Sequence, residues 1–306
     1  MRALRFAAAV RRTRSGTPSS HCNAMNNQRR DHLQRLTKLV VSVIFFLWTS
    51  AIDIIRRLMG RTTPATCVVL HYHGVSPQHR RRFARQLDLL INLAIPLSAD
   101  NSEPLRAGKR YVALTFDDGF LSTVENAVPE LVQREIPATL FVTAGLLGSA
   151  PQWTTFGGDS LADERIVPAE LLKQVPNGFI AIGSHTLSHP WLPSVPEMAA
   201  RVELSESRDK LKNLLNRDIK LFSFPYGGYT DRLIELCREA GYERVFTILP
   251  KLAFTDPQEY VTGRIRTDPT DWSLEFRFKL LGAYQWLPSV IAWKQRAFKK
   301  PRSERS

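Results

Sequence analysis

The chain has 306 residues, 43% hydrophobic and 23% charged, an ordinary globular composition long enough for one large domain. A net charge of +13 raises nucleic acid or a membrane surface as partners, and its location decides between them. Of 42 basic residues, 12 lie in 1–62 and 6 in 294–306, so 24 remain for 63–293 against 26 acids, which excludes nucleic acid for the central region.

Residues 1–30 are rich in Arg, Ser and Asn without a hydrophobic period, and a disordered basic N-terminus is expected there. Met25 is an alternative start, because nothing before it reads as structural. Leu39–Ile52 is a run of 14 residues without a charge, ended by Asp53. Arg29, Arg30, Arg35 and Lys38 precede it; Arg56, Arg57 and Arg61 follow. It is short of the ~20 apolar residues that a spanning helix usually needs, and it lacks the small-residue site of a cleaved signal. Basic residues on both flanks assign no membrane side. Arg35, Lys38, Ser42, Thr49, Asp53 and Arg56 fall on one helical stripe, interrupted by Phe45 and Phe46, a pattern that also suits a helix lying in the interface. A membrane-associated helix over 31–62 is expected, spanning or lying flat.

The folded domain is expected over 63–293, with a basic tail over 294–306. Cys67–Leu70 reads as a buried strand leading into His71-Tyr72-His73-Gly74. Arg81–Leu93 reads as a helix with Phe83, Leu87, Leu90 and Ile91 on one face. Strands follow at Tyr111–Phe116, Ala138–Val142, Phe179–Ile182, Leu221–Phe224 and Arg244–Phe246. Helices are read at Val124–Arg134, Pro168–Val175, Val195–Leu215 and Asp231–Ala240. Such alternation argues for a parallel sheet, open or closed into a barrel. In barrels of this kind the chemistry sits at the C-terminal ends of strands. Cys22, Cys67 and Cys237 form no CxxC, and the last two read as buried thiols.

Three strand ends carry chemistry. At the first, Val112-Ala113-Leu114 runs into Thr115-Phe116-Asp117-Asp118-Gly119. Strand neighbours point to opposite faces, so both acids reach one pocket only if the chain bends there, and Gly119 permits a sharp turn. One acid can then bind a metal while the other stays free as a base. At the second, His185-Thr186-Leu187-Ser188-His189 has the spacing that puts two imidazoles on one face of a helical turn. Two imidazoles and one carboxylate make a site for a divalent ion with open positions. The third, Phe222-Ser223-Phe224-Pro225-Tyr226-Gly227-Gly228-Tyr229, leaves backbone accessible beside a pocket, although an ordinary strand-to-helix turn has the same residues.

Together these residues resemble the polysaccharide deacetylases, the NodB-homology group also called carbohydrate esterase family four, over roughly residues 66–275. Thr115–Gly119 and His185–His189 carry the most specific motifs, and Phe224-Pro225-Tyr226-Gly227 looks like the third. The resemblance implies an α/β fold, a distorted (β/α) barrel, here with an N-terminal hydrophobic helix. It implies metal-dependent removal of acetyl groups from an N-acetylated glycan. Carried over by position, Asp117 is the base, Asp118 binds one divalent metal, zinc by expectation, with His185 and His189, and the Tyr226 N–H beside Pro225 helps bind the oxyanion. The chain departs from the family in two places. Ser223 stands where much of the family has an Arg steadying the base, for which Arg264 or Arg266 is the candidate substitute. No histidine follows position 189, so the acid must come from elsewhere. The poly-N-acetylglucosamine deacetylases carry it early, in a motif resembling Leu70-His71-Tyr72-His73, which makes His73 the candidate acid and His71 the second. Asp268 or Asp271, in Thr267-Asp-Pro-Thr-Asp-Trp272, is the candidate to orient it.

Trp153, Trp191 and Trp272 are candidates for a sugar platform. The competing readings are a membrane-tethered carbohydrate-binding protein with little activity, and a deacetylase of a lipid-linked or O-acetylated sugar. The presence of base, metal ligands and acid together favours an enzyme. Neither the glycan nor the oligomeric state is legible.

Overall fold

The structure, a computed structural model, describes residues 18–153, 164–256 and 258–291. Residues 1–17 of the expected disordered segment and the expected tail at 294–306 lie outside them. The chain falls into two compact units, one ending at Val41 and the other beginning at Ser42. The second unit therefore starts inside the first helix, upstream of the boundary at 62 and 63 read from the sequence.

That helix, α1, runs over Pro18–Leu58, so 18–30 are helical where composition points to disorder. Once nucleated, a helix adds residues at little cost, and no Gly or Pro interrupts this one. Gly60 ends it at φ +70, where the Gly60 N–H donates to Arg57 O and the Arg61 N–H to Arg56 O, a left-handed cap that favours glycine.

From Thr66 onwards the chain builds a nine-stranded sheet in which every pairing is parallel. The strands are β1 (Thr66–Tyr72), β2 (Ile95–Pro96), β3 (Arg110–Phe116), β4 (Ala138–Val142), β5 (Ile180–Ser184), β6 (Leu221–Ser223), β7 (Arg244–Phe246), β8 (Val261–Thr262) and β9 (Ile265–Arg266). Their order is β8-β7-β6-β5-β4-β3-β1-β9, with β2 added on β3. The two ends of this row, β8 and β9, are separated in sequence only by Gly263-Arg264. A chain advances at most about 3.3–3.6 Å per residue, so the two edges must meet there, and the sheet curls into a distorted barrel. The crossings are made by α2 (Arg80–Leu93), α3 (Val128–Gln133), α4 (Ala169–Lys173), α5 (Glu197–Leu215) and α6 (Asp231–Glu239), and α7 (Ser273–Leu280) follows the last strand.

The period of two along each strand divides the core. Val68, Leu70, Val112, Leu114, Leu140, Ile182 and Phe222 form one buried cluster with the helices, including Phe83, Leu87 and Leu90 of α2. Cys67, Val69, Ala113, Phe141, Leu221 and Phe246 form the second, inside the barrel. Both Cys67 and Cys237 are buried free thiols.

Several sequence expectations shift. Ile91 is 47% exposed, and the buried place on α2 is taken by Gln86, which accepts a hydrogen bond from Tyr72 Oη and donates to Asp268 O. Val124–Arg134 is not one α-helix. A π-helical turn over Thr123–Ala127 runs straight into α3, with Val128 N–H donating to Thr123 O, and Pro129, which has no N–H to donate, stands at that change of register. The short strands β2, β8 and β9 and helix α7 carry too few periodic residues to be read in advance.

The lumen leaves no space at β5. A methyl group on Gly183 would lie 2.5 Å from the Phe141 ring and 2.9 Å from Leu221 O. Gly183→Ala is expected to destabilise the protein by about 1–3 kcal/mol through overpacking. Urea unfolding measures it, and an unchanged midpoint contradicts this packing.

Candidate active site

The inward rows of β1, β3 and β6 end in polar residues: His71, Thr115, then Asp117 just beyond β3, and Ser223. All four are buried. The ladder continues past Phe116, since Asp117 N donates to Tyr72 O at 2.9 Å, so Asp117 keeps the lumen face. Its neighbour would point away on a regular strand. Asp118 instead takes φ 70, which breaks the alternation and lets two adjacent carboxylates, 4% and 3% exposed, face one pocket.

The His185–His189 segment is not the helical turn expected from its spacing. It is a loop after β5 with Thr186 at φ 69 and His189 at φ 63. Thr186 Oγ1 accepts from His189 N at 3.0 Å, and Glu203 of α5 accepts from the backbone N–H groups of Leu187 and Ser188 at 2.8 and 3.0 Å. This scaffold brings the imidazoles together with ring centroids 4.9 Å apart. Both Nε2 atoms face Asp118 Oδ1, His185 at 3.4 Å and His189 at 3.2 Å. His185 Nδ1 lies 2.8 Å from the Ser223 carbonyl, which can only accept, so Nδ1 carries a proton. In neutral His185 that leaves a lone pair on Nε2 aimed at a carboxylate, an arrangement that needs a cation between them. The spacing fits one: tetrahedral ligands about 2.0–2.1 Å from a zinc lie about 3.3 Å apart. Burial lowers the pKa of His189, which keeps it neutral and available as a ligand.

Arg264, in the two-residue seam between β8 and β9, is fully buried. Its Nη1 and Nη2 each donate to a different Asp117 oxygen at 2.7 Å. Nη2 also donates to Ser223 Oγ at 2.7 Å, Nη1 to Thr115 Oγ1 at 3.0 Å, and Nε to Thr247 O at 3.2 Å. Arg264 therefore grips Asp117 from the seam, while Ser223 serves as a further acceptor of the same guanidinium. Arg266 lies on β9 and is exposed. Burial alone would raise the Asp117 carboxyl, but the charge of Arg264 outweighs it and holds the group well below the ordinary carboxylate range.

His71 and His73 stand at the mouth with Asp117. One donor atom of each of the three lies within 4.8 Å of the others, as do those of Asp118, His185 and His189. The His71 and His73 rings meet edge-on at 5.6 Å. His71 is 2% exposed, and burial followed by the charge of Arg264 pushes its pKa well below the usual histidine value, so it is neutral at pH 7. His73 is half-buried, and its carbonyl accepts from Thr123 Oγ1 at 2.9 Å. The pocket is lined by these six residues with Trp153, Tyr226, Gly227 and Ile248.

Trp153 stacks on His189 at 3.8 Å, and the edge of the Tyr226 ring meets His189 at 4.6 Å. Pro225 is buried and starts the turn that holds Tyr226 at φ 57. Four of the seven described non-glycine residues at positive φ are Asp118, Thr186, His189 and Tyr226, so backbone strain concentrates around this pocket. Trp191 stands outside the lining with its ring 6.3 Å from Tyr226.

The residues expected to orient an acid are engaged elsewhere. Asp268 Oδ1 accepts from the N–H and hydroxyl of Thr270, and Asp271 Oδ2 accepts from Lys279 Nζ at 2.6 Å. Trp272 caps α7, and neither it nor those two acids line the pocket. Gly227 of the third motif lines the pocket as its sequence suggests, whereas nothing local in the sequence marks Glu203 or Ile248 as site residues.

The family model for Polysaccharide deacetylase matches residues 105–245. The protein YxkH of Bacillus subtilis (strain 168) is 23% identical over 217 residues, covering 67% of this chain and 73% of its own. The poly-beta-1,6-N-acetyl-D-glucosamine N-deacetylase of Staphylococcus epidermidis is 26% identical over 166 residues; 51% of this chain matches 54% of that protein. The solved structure of IcaB from Ammonifex degensii superposes with a TM-score of 0.59 at 26% identity, over 73% of this chain and 100% of that one.

Arg264→Met leaves the Asp117 charge buried without its partner, and a loss of about 3–5 kcal/mol is expected. Adding Asp117→Leu should restore most of it. Because the Asp117 carboxyl is depressed in the folded state, the contribution of the pair is present above its unfolded value of about 3.9 and fades as pH falls below it. Urea unfolding at neutral and acid pH measures both effects. A single variant as stable as the parent at pH 7 contradicts the pairing.

Proposed function

We propose, from the premise that the chain belongs to the polysaccharide deacetylase family and is a hydrolase of carbon–nitrogen bonds, that it removes N-acetyl groups from an N-acetylhexosamine-containing polysaccharide and releases acetate. One observation carries the reading: Asp118, His185 and His189 form one cluster and Asp117, His71 and His73 another, and both line a single pocket. A binding module needs neither a buried carboxylate pair nor two clusters of ionisable groups lining one pocket.

In this reading Asp118, His185 and His189 hold one divalent ion, zinc by donor set. When bound, the ion supplies Lewis-acid polarisation and a lowered pKa for water. Asp117 accepts a proton from the attacking water as that oxygen bonds to the acetyl carbon. A carboxylate depressed by Arg264 is a weak base, so its part rests on orientation, and the two-pronged grip fixes both of its oxygens. The backbone N–H of Tyr226, beside the buried Pro225, donates to the carbonyl oxygen as charge develops there. His73 gives a proton to the sugar nitrogen as the C–N bond breaks, which yields acetate and a free amine. The neutral state of His71 and the partial exposure of His73 support that choice. Tyr226 and Trp191, 39% and 47% exposed, offer ring faces at the rim for a sugar chain. The apolar stretch of α1, with Arg56, Arg57 and Arg61 at its end, holds the enzyme at a membrane.

Acetate release from an N-acetylglucosamine oligomer should stop with a chelator and in Asp117→Asn. Retained release in both contradicts the reading. His189→Ala should lose bound metal by elemental analysis. His73→Ala should retain metal and fold while losing about 10²–10⁴-fold in turnover. Near-parental turnover in that variant, with His71→Ala inactive, transfers the role to His71.

A further inference from the structure

The outer half of α1 is amphipathic in the reverse sense of a soluble helix. Ser42 is fully buried and its Oγ accepts from Trp286 Nε1 at 2.9 Å. The Phe46 ring meets Phe278 of α7 edge-on at 5.4 Å. Thr49 turns its hydroxyl back to the carbonyls of Phe45 and Phe46 at 3.1 Å. Asp53, one helical stripe further, is half-buried, and its charge acts on Arg110 at the start of β3, opposing the effect of burial on that group. Ser42, Thr49 and Asp53 of the polar stripe thus lie on the packed side of the helix with Phe46, while Arg56 is exposed. The opposite face presents Ile44, Leu47, Trp48, Ile54, Ile55 and Leu58, each 55–82% exposed. A helix in water turns its apolar face to the core.

We propose that α1 from Ser42 onwards, a fixed part of the catalytic unit, lies in the plane of a membrane surface with its outer face in lipid and does not cross the bilayer. The inference rests on the membrane reading above and assigns its geometry. By length and composition, His32–Leu58 could cross. Its part from Ser42 onwards is engaged with α7 and Trp286, and crossing would draw Arg277 and Lys279, which flank Phe278, towards hydrocarbon at high cost. Ahead of Ser42 the uncharged stretch is only Leu39-Val40-Val41, far short of a span. Lipid, and not a second copy, is the occupant that the charges fit. Arg56, Arg57 and Arg61 end the helix with a basic cluster suited to anionic headgroups, and Trp48 is the side chain type that settles at that level.

The test places a nitroxide label at position 44, 48 or 55, one at a time, in the full chain carrying Cys22→Ser; the remaining cysteines, Cys67 and Cys237, are buried. Depth is read by electron paramagnetic resonance on vesicles of phosphatidylcholine and phosphatidylglycerol. The expected result is one common depth, about 5–10 Å into the headgroup boundary. A crossing helix would separate positions 44 and 55 by about 16 Å in depth, which overturns the inference. Absence of vesicle binding with acetate release intact overturns it together with the membrane reading, and leaves the deacetylase reading standing. Labels shielded by a dimer that does not bind vesicles overturn it in favour of a second copy. As an independent check, Trp48→Glu should lose vesicle binding while releasing acetate from a soluble oligomer at the parental rate.

Discussion

The contact on which the site depends is the fork of Arg264 on Asp117. A guanidinium and a carboxylate, both buried, are tolerated only as a well-formed pair with their remaining hydrogen bonds met. Here Thr115, Ser223 and the Thr247 carbonyl take the remaining donors. The four elements so joined are β3, β6, the chain after β7 and the β8–β9 seam. The barrel closes at the residue that orients the proposed base, so closing the fold and arranging the chemistry are one event. Ser223 has a second part, since its carbonyl fixes the protonated nitrogen of His185. The same short strand therefore braces both halves of the pocket.

The pocket divides its carboxylates by environment. Asp117 faces a permanent cation that binds each of its oxygens once. Asp118 faces two imidazoles through one oxygen. Adjacent in sequence, they are turned to different partners at a single left-handed residue, and positive φ recurs at Thr186, His189 and Tyr226. Such conformations persist only where surrounding contacts over-determine them. Glu203 and the hydroxyl of Thr186 do this for the histidine loop.

Much of this was legible in the chain. The β-rich runs before Asp117, His185 and Ser223 mark strand ends, and polar residues with metal-binding chemistry at successive strand ends point to one pocket. The sequence could not say which arginine approaches Asp117. Arg264 and Arg266 differ by two residues and would share a strand face, and only the meeting of sheet edges at Gly263-Arg264 separates them. The His-x3-His spacing points to a helical turn, but two geometries bring such residues together, and the loop that does so here depends on Glu203, fourteen residues beyond His189. Asp268 and Asp271 were expected near the acid, but Lys279 on α7 and the turn at Thr270 take them. The polar stripe of α1 is visible in the sequence; that Ser42 and the neighbouring Phe46 pack on protein follows from Trp286 and Phe278, more than 200 residues away.

The central claim is a division of labour between two clusters of three, one for a metal and one for proton transfer. Diffraction from crystals grown with zinc, recorded on both sides of the zinc absorption edge, tests it most directly. The account predicts a single anomalous peak bounded by Asp118, His185 and His189, with Asp117 still held by Arg264. A peak among His71, His73 and Asp117 with the other cluster empty would contradict it, as would no bound metal in crystals of protein that releases acetate.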